Sequence, residues 1–231
     1  MIYKNIIFDL DGTLIDSAQL TGAIIDQMLA ERGVTQSADR NLIRKMDAIG
    51  GAPMIAAVMG PHTINPAADL EEFRTRHRII NVPSTLPYPG VAAALSQLRE
   101  IGVQLAICSN KPQFLCEKIL GDLALDHHFA AIIGSAAHRP RKPDPAPALL
   151  ALSALNARAH ETVFCGDSAI DVATAQGAGI KPLLVSWGYG THEAIRLTPG
   201  LPLLGAMADL VDLVHGNEGL GLTAADGDAG R

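Results

Sequence analysis

Short, continuously apolar runs alternate with helical periodicities along most of this 231-residue chain, and several of the runs stop abruptly at polar residues. Runs at 5–8, 103–108, 131–134, 162–165 and 182–185 are apolar without alternation, the pattern of strands covered on both faces. Between them lie helical stripes. Val91, Leu95, Leu98 and Ile101 form one, closed by Gly102. Leu149, Leu152 and Leu155 form a second, and 169–178 a third, closed by Gly179. Strands alternating with helices predict an α/β fold with a doubly wound parallel sheet.

One interval departs from that rhythm. From residue 16 to 86 the pattern offers helices and no strand. Asp16 and Gln19 stand at capping-box spacing before Leu20, Ile24, Met28 and Leu29, with Gly33 following. Further helices are expected at 38–49, 53–59 and 67–81. The chain therefore divides into a core of residues 1–15 and 87–216 and an inserted helical domain of 16–86, whose two connections form a hinge. The glycine-rich tail at 217–231 lacks periodicity and is expected to be poorly ordered.

Composition narrows the classes. Hydrophobic residues make up 48% and charged residues 18%, enough for a core and unlike a disordered chain. The net charge of −6 disfavours nucleic acid or an acidic membrane as partner, and it obliges an anionic ligand to find local cations or a metal. Cys108, Cys116 and Cys165 have no metal-ligand spacing, and a reducing, cytoplasmic location is expected. No stretch suits a signal peptide or a membrane span. Oligomeric state is not legible.

The chemistry sits in four polar pieces at strand ends or helix starts: Asp9-Leu10-Asp11-Gly12-Thr13, Ser109-Asn110, Lys142-Pro143 and Gly166 to Asp171. Asp9 and Asp11 share one side of an extended backbone, where a divalent cation would hold both ionised, and Gly12 permits the turn that follows. A calcium loop would need Gly and Glu where the chain has Leu14 and Leu20. Ser109 and Asn110 suit either a phosphate grip or a helix cap before a helix from Lys111. Lys142 is either a lone site cation or part of a solvated basic loop with His138, Arg139 and Arg141. Asp167 and Asp171 lie one turn apart, as a metal ligand with its supporting carboxylate or as a plain N-cap by Asp167 or Ser168. Four such pieces on one sheet edge suit metal-assisted phosphoryl transfer. Monoester hydrolysis demands accelerations approaching ~10²¹, which no single side chain provides.

The order of these motifs, the helical insertion after the first and the segments Tyr88-Pro89-Gly90-Val91 and Trp187-Gly188-Tyr189-Gly190 resemble the haloacid dehalogenase superfamily, phosphoglycolate phosphatases in particular. The resemblance implies a phosphatase acting on a small-molecule phosphate ester. It makes Asp9 the nucleophile and Asp11 the acid/base. Ser109, Asn110 and Lys142 become phosphate ligands, and Thr13 a hydrogen-bonding support. It places Mg²⁺ on Asp9, the Asp11 carbonyl and Asp167, with Asp171 ordering its waters. The insertion corresponds to a cap that selects substrates, with Ile49-Gly50-Gly51 as its specificity segment. Arg44, Arg74, Arg76, His77 and Arg78 are candidate contacts, or an exposed solubilising face. Two alternatives use the same core: a phosphosugar mutase, and a module that binds phosphate without turnover.

Overall fold

The computed structural model describes residues 3–47, 49–215 and 222–224. The strands are β1 (Asn5–Phe8), β2 (Gln104–Pro112), β3 (Ala131–Ser135), β4 (Thr162–Gly166), β5 (Lys181–Val185), β6 (Pro202–Leu204) and β7 (Leu222–Ala224). They form one sheet in the order β3-β2-β1-β4-β5-β6-β7, parallel except for β7, which pairs antiparallel with β6. The α/β doubly wound architecture is the expected one, and the run 3-2-1-4-5-6 reverses its direction of growth beside β1, where such sheets bind ligands.

The helices of this unit are α5 (Val91–Glu100), α6 (Gln113–Asp122), α7 (Ala146–Ala154), α8 (Ala169–Gly177), α9 (Thr191–Leu197) and α10 (Asp209–His215). Every residue of β1 and of β4 is buried, as their unbroken apolar composition requires. Ile7 and Phe164 of the central strands pack with Ala148, Ala151, Leu152 and Ala175 from α7 and α8. The end of α5 shows how local sequence stops a helix. Gly102 takes φ +84°, its N–H donates to the Arg99 carbonyl at 2.9 Å, and the Val103 N–H donates to Leu98 at 2.9 Å.

Residues 16–86 make a second compact unit, Asp16–Leu86, distinct from Met1–Ile15 with Pro87–Arg231. It contains α1 (Ser17–Glu31), α2 (Arg40–Met46), α3 (Gly51–Met59) and α4 (Pro66–Ile79). Helix α1 buries Leu20, Ile24, Met28 and Leu29, the stripe read from sequence. The Asp16 carboxylate makes no cap bond. It pairs with Arg44 at 2.7 Å and takes a 3.3 Å bond from the Gln19 side chain. Arg76 binds Glu31 and Glu72, and Arg74 binds Glu71, so these candidates serve ion pairs of the helical unit. His77 is buried against Phe73. No described helix is long and apolar enough to cross a membrane.

Four readings are revised. β2 does not stop at Cys108; it continues with a register irregularity to Pro112, and α6 begins only at Gln113 with no side-chain cap. β6 was not expected, because three residues opening on Pro202 carry too little pattern. In the tail expected to be poorly ordered, Leu222–Ala224 pair with β6; the rest of it lies outside the described residues. Lastly, Leu149 is 48% exposed, because α7 turns the smaller Ala148 and Ala151 with Leu152 onto the sheet, letting the helix approach closely. Replacing Leu152 by Ala should therefore cost about 2–4 kcal/mol, and Leu149 by Ala within about 0.5 kcal/mol. Urea unfolding followed by circular dichroism would check both.

Candidate active site

Register places three of the candidate residues side by side. Phe8 aligns with Ile107 of β2 and with Cys165 of β4, so Asp9 and Asp167, just past β1 and β4, and Ser109, within β2, stand within a residue or two of one level. The Asp9 N–H donates to the Cys165 carbonyl at 2.9 Å, which fixes where the chain leaves β1. Asp9, Asp11, Ser109, Lys142, Asp167 and Asp171 are all buried. The sequence pieces therefore do converge.

Lys142 stands at the centre. Its Nζ lies 2.7 Å from Asp9 Oδ1 and 2.6 Å from Asp171 Oδ1, and 5.6 Å from the ring centroid of Phe164. It is not part of a solvated loop. Arg139 instead donates to the Gly134 carbonyl at the end of β3. Asn110 explains how Lys142 is held. Its Oδ1 accepts from the Lys142 N–H and its Nδ2 donates to the Lys142 carbonyl, both at 2.9 Å. The Asn110 amide expected to grip phosphate thus grips the backbone of Lys142 instead.

The N-cap reading of Asp167 to Asp171 is met at Ser168. Ser168 caps α8 in a reciprocal capping box with Asp171. Asp171 Oδ2 accepts from Ser168 Oγ at 2.6 Å and from the Ser168 and Asp167 N–H groups, while Oδ1 is turned to Lys142. Asp167 Oδ2 accepts from the Tyr189 and Gly190 N–H groups at 2.6 and 3.2 Å. Gly12, at φ +77°, is required here, because a Cβ on it would fall 2.3 Å from Asp167 Oδ2. Gly188 is equally tight, with a Cβ 2.1 Å from that of Asp167.

Two expectations change. Thr13 is fully buried, yet its Oγ1 has no hydrogen-bond partner among the described residues; its carbonyl accepts from Trp187 Nε1 at 3.2 Å. Lys111 was not singled out from sequence, and its Nζ lies 2.9 Å from Asp11 Oδ1. No local pattern marked it, because 109–111 lie in the irregular stretch of β2 between Cys108 and Pro112.

Charge is unbalanced. Four buried carboxylates face the two ammonium groups of Lys142 and Lys111. Burial raises the Asp9 pKa to about 7, Lys142 opposes the shift, and Asp171 and Asp11 reinforce it. Burial acts to lower the Lys142 pKa, but Asp171 and Asp9 outweigh it and hold the ammonium well above its usual range. Carboxylate oxygens of Asp9, Asp167 and Asp171 lie within 4.8 Å of one another. An all-oxygen donor set with surplus negative charge fits a hard divalent cation.

Residues 6–185 match the family model for haloacid dehalogenase-like hydrolases, and the chain belongs to that family. It is 30% identical to the phosphoglycolate phosphatase of Rhodospirillum rubrum, over 97% of this chain and 94% of that protein. It is 34% identical to that of Pectobacterium atrosepticum, over 91% and 92% of the two chains. A solved structure, a predicted phosphoglycolate phosphatase from Haemophilus somnus, aligns with a TM-score of 0.78 at 25% identity, covering 92% of this chain and 98% of that one. The chain is a phosphatase of the haloacid dehalogenase-like type.

The sign of the Asp9 shift gives a test. A carboxyl whose folded pKa is raised stabilises the fold when protonated, and that contribution is lost as pH rises from about 4 through about 7. In the presence of chelator the Asp9→Asn protein should gain on wild type in thermal midpoint as pH goes from 5.5 to 8. Magnesium should raise the wild-type midpoint more at pH 8 than at pH 5.5.

Proposed function

We propose that this phosphatase hydrolyses a small phosphorylated metabolite, phosphoglycolate foremost, with Mg²⁺ and through an aspartyl-phosphate on Asp9. The observation that carries the reading is Asp9 itself: a buried carboxylate at the switch point of the sheet, bonded to Lys142 and surrounded by three further carboxylates. The substrate is taken from the named relatives, which match over nearly their whole length.

Asp9, Asp167 and the backbone carbonyl of Asp11 would hold the cation, with Asp171 supporting it. Bound there, it would neutralise charge on the phosphoryl oxygens and keep Asp9 ionised. Asp9 attacks phosphorus, and the ester oxygen leaves with a proton from Asp11. Water then attacks the same phosphorus while Asp11 takes its proton, the bond to Asp9 breaks, and inorganic phosphate departs. Lys142 screens the transferring oxygens, and the Ser109 hydroxyl donates to one of them. Asn110 acts at one remove by fixing the backbone of Lys142.

Purified protein should release phosphate from phosphoglycolate with magnesium and not with chelator. Asp9→Asn should lower kcat by at least about 10³-fold, the scale on which a nucleophile is lost, with an unchanged circular dichroism spectrum. Magnesium-dependent turnover by that variant near the wild-type rate would reject Asp9 as the nucleophile.

A further inference from the structure

Tyr88 and Trp187 meet in the core unit, their ring centroids 6.0 Å apart. Between them they hold the chain just past Asp11. The Trp187 Nε1–H donates to the Thr13 carbonyl at 3.2 Å, and the Tyr88 N–H donates to the Leu14 carbonyl at 2.9 Å. The segment that carries Trp187 also reaches Asp167, whose Oδ2 accepts from the Tyr189 and Gly190 N–H groups. Both ends of that segment are pinned. The Ser186 N–H donates to the Leu204 carbonyl of β6 at 3.0 Å, and the buried Thr191 hydroxyl donates to the Val185 carbonyl at 2.8 Å. The two loops pass close to each other at Gly12, where a Cβ would fall 3.2 Å from Tyr189 Cδ2 as well as against Asp167. The indole N–H joins them by a hydrogen bond.

We infer that Trp187 is a positioning residue for the cation: its indole sets the spacing between the two loops that carry the cation's ligands. The inference rests on the magnesium reading proposed above, in which Asp9 and the Asp11 carbonyl come from the first loop and Asp167 from the second. It adds the group that spaces them. Mg²⁺ requires near-ideal octahedral geometry at about 2.0–2.1 Å, whereas Ca²⁺ accepts irregular oxygen cages at about 2.3–2.6 Å. Loop spacing therefore decides affinity for the small cation first. A tryptophan suits the task, because it is a large rigid ring with few torsions to freeze. Its N–H donates and cannot accept, so it bonds a carbonyl in one sense, and Tyr88 braces the ring. Trp187→Phe keeps an aromatic ring against Tyr88 and removes the bond to Thr13.

Cation binding tests this without turnover. In calorimetry on substrate-free protein, Trp187→Phe should lose roughly tenfold in affinity for Mg²⁺ and less than about threefold for Ca²⁺. Equal losses for both cations would overturn the inference, since a general loosening of the fold does not discriminate by ionic radius. So would an unchanged Mg²⁺ affinity. Trp187 is the only tryptophan of the chain, so its emission in the wild type is a second readout that needs no variant. That emission should shift as Mg²⁺ saturates the site. Constant emission through a titration that calorimetry shows to be complete would overturn the inference even where Trp187→Phe fails to fold. A wild type that binds no Mg²⁺ would reject the magnesium reading, and the inference with it. A wild type that binds Mg²⁺ beside an unaffected variant would reject the inference alone.

Discussion

The ammonium of Lys142, bonded at once to Asp9 and Asp171, is the interaction around which the rest of the site is arranged. Two carboxylates this close in a buried place repel strongly, and the cation between them makes the cluster tolerable. The neighbouring architecture serves that placement. Asn110, at the end of β2, clamps the Lys142 backbone, and the capping box of α8 fixes the second oxygen of Asp171. One lysine does not suffice, since four carboxylates outnumber the two ammonium groups. The deficit favours a divalent cation, which would offset the burial that raises the Asp9 pKa.

How much of this could be read from sequence follows from how each signal is encoded. Unbroken apolar runs such as Ile6, Ile7 and Phe8 announce strands covered on both faces, and β1 to β5 were found that way. Pro202–Leu204 and Leu222–Ala224 are three residues each and take their strand form from a neighbour, which no local pattern records. The far half of β2 was hidden for another reason. Ser109-Asn110-Lys111-Pro112 is a polar run that resembles the start of a helix, and its strand form goes with distant partners, Ser135 of β3 for Pro112 and the Lys142 backbone for Asn110. Mistaking that stretch for a helix start concealed Lys111, which lies in the irregular part of the strand.

Residue types were more legible than residue roles. Asp9, Asp11, Ser109, Lys142, Asp167 and Asp171 were named from sequence and are gathered in one buried cluster. What Asn110 and Thr13 do could not be read, because it depends on partners far away in the chain. Asn110 meets a backbone 32 residues on, and Thr13 uses its carbonyl on Trp187, 174 residues away. Capping α8 does not exhaust what Asp171 touches. One carboxylate closes the first turn of α8 with one oxygen and holds Lys142 with the other. A side chain fixed by helix capping loses little further entropy when it serves a site, which is why functional carboxylates sit well at helix starts.

The same economy explains the glycines around Asp167. Its carboxylate is held by the N–H groups of Tyr189 and Gly190, and backbone donors reach it only if two chain segments pass within contact distance. At Gly12 and Gly188 any side chain would occupy the space of Asp167 itself. Backbone donors cannot swing to another rotamer as a lysine or serine can, so they hold the carboxylate in one orientation whatever the substrate does. Fixed carboxylates at Asp167 and Asp171 and a fixed cation at Lys142 then form a frame whose geometry is set by the fold rather than by the ligand.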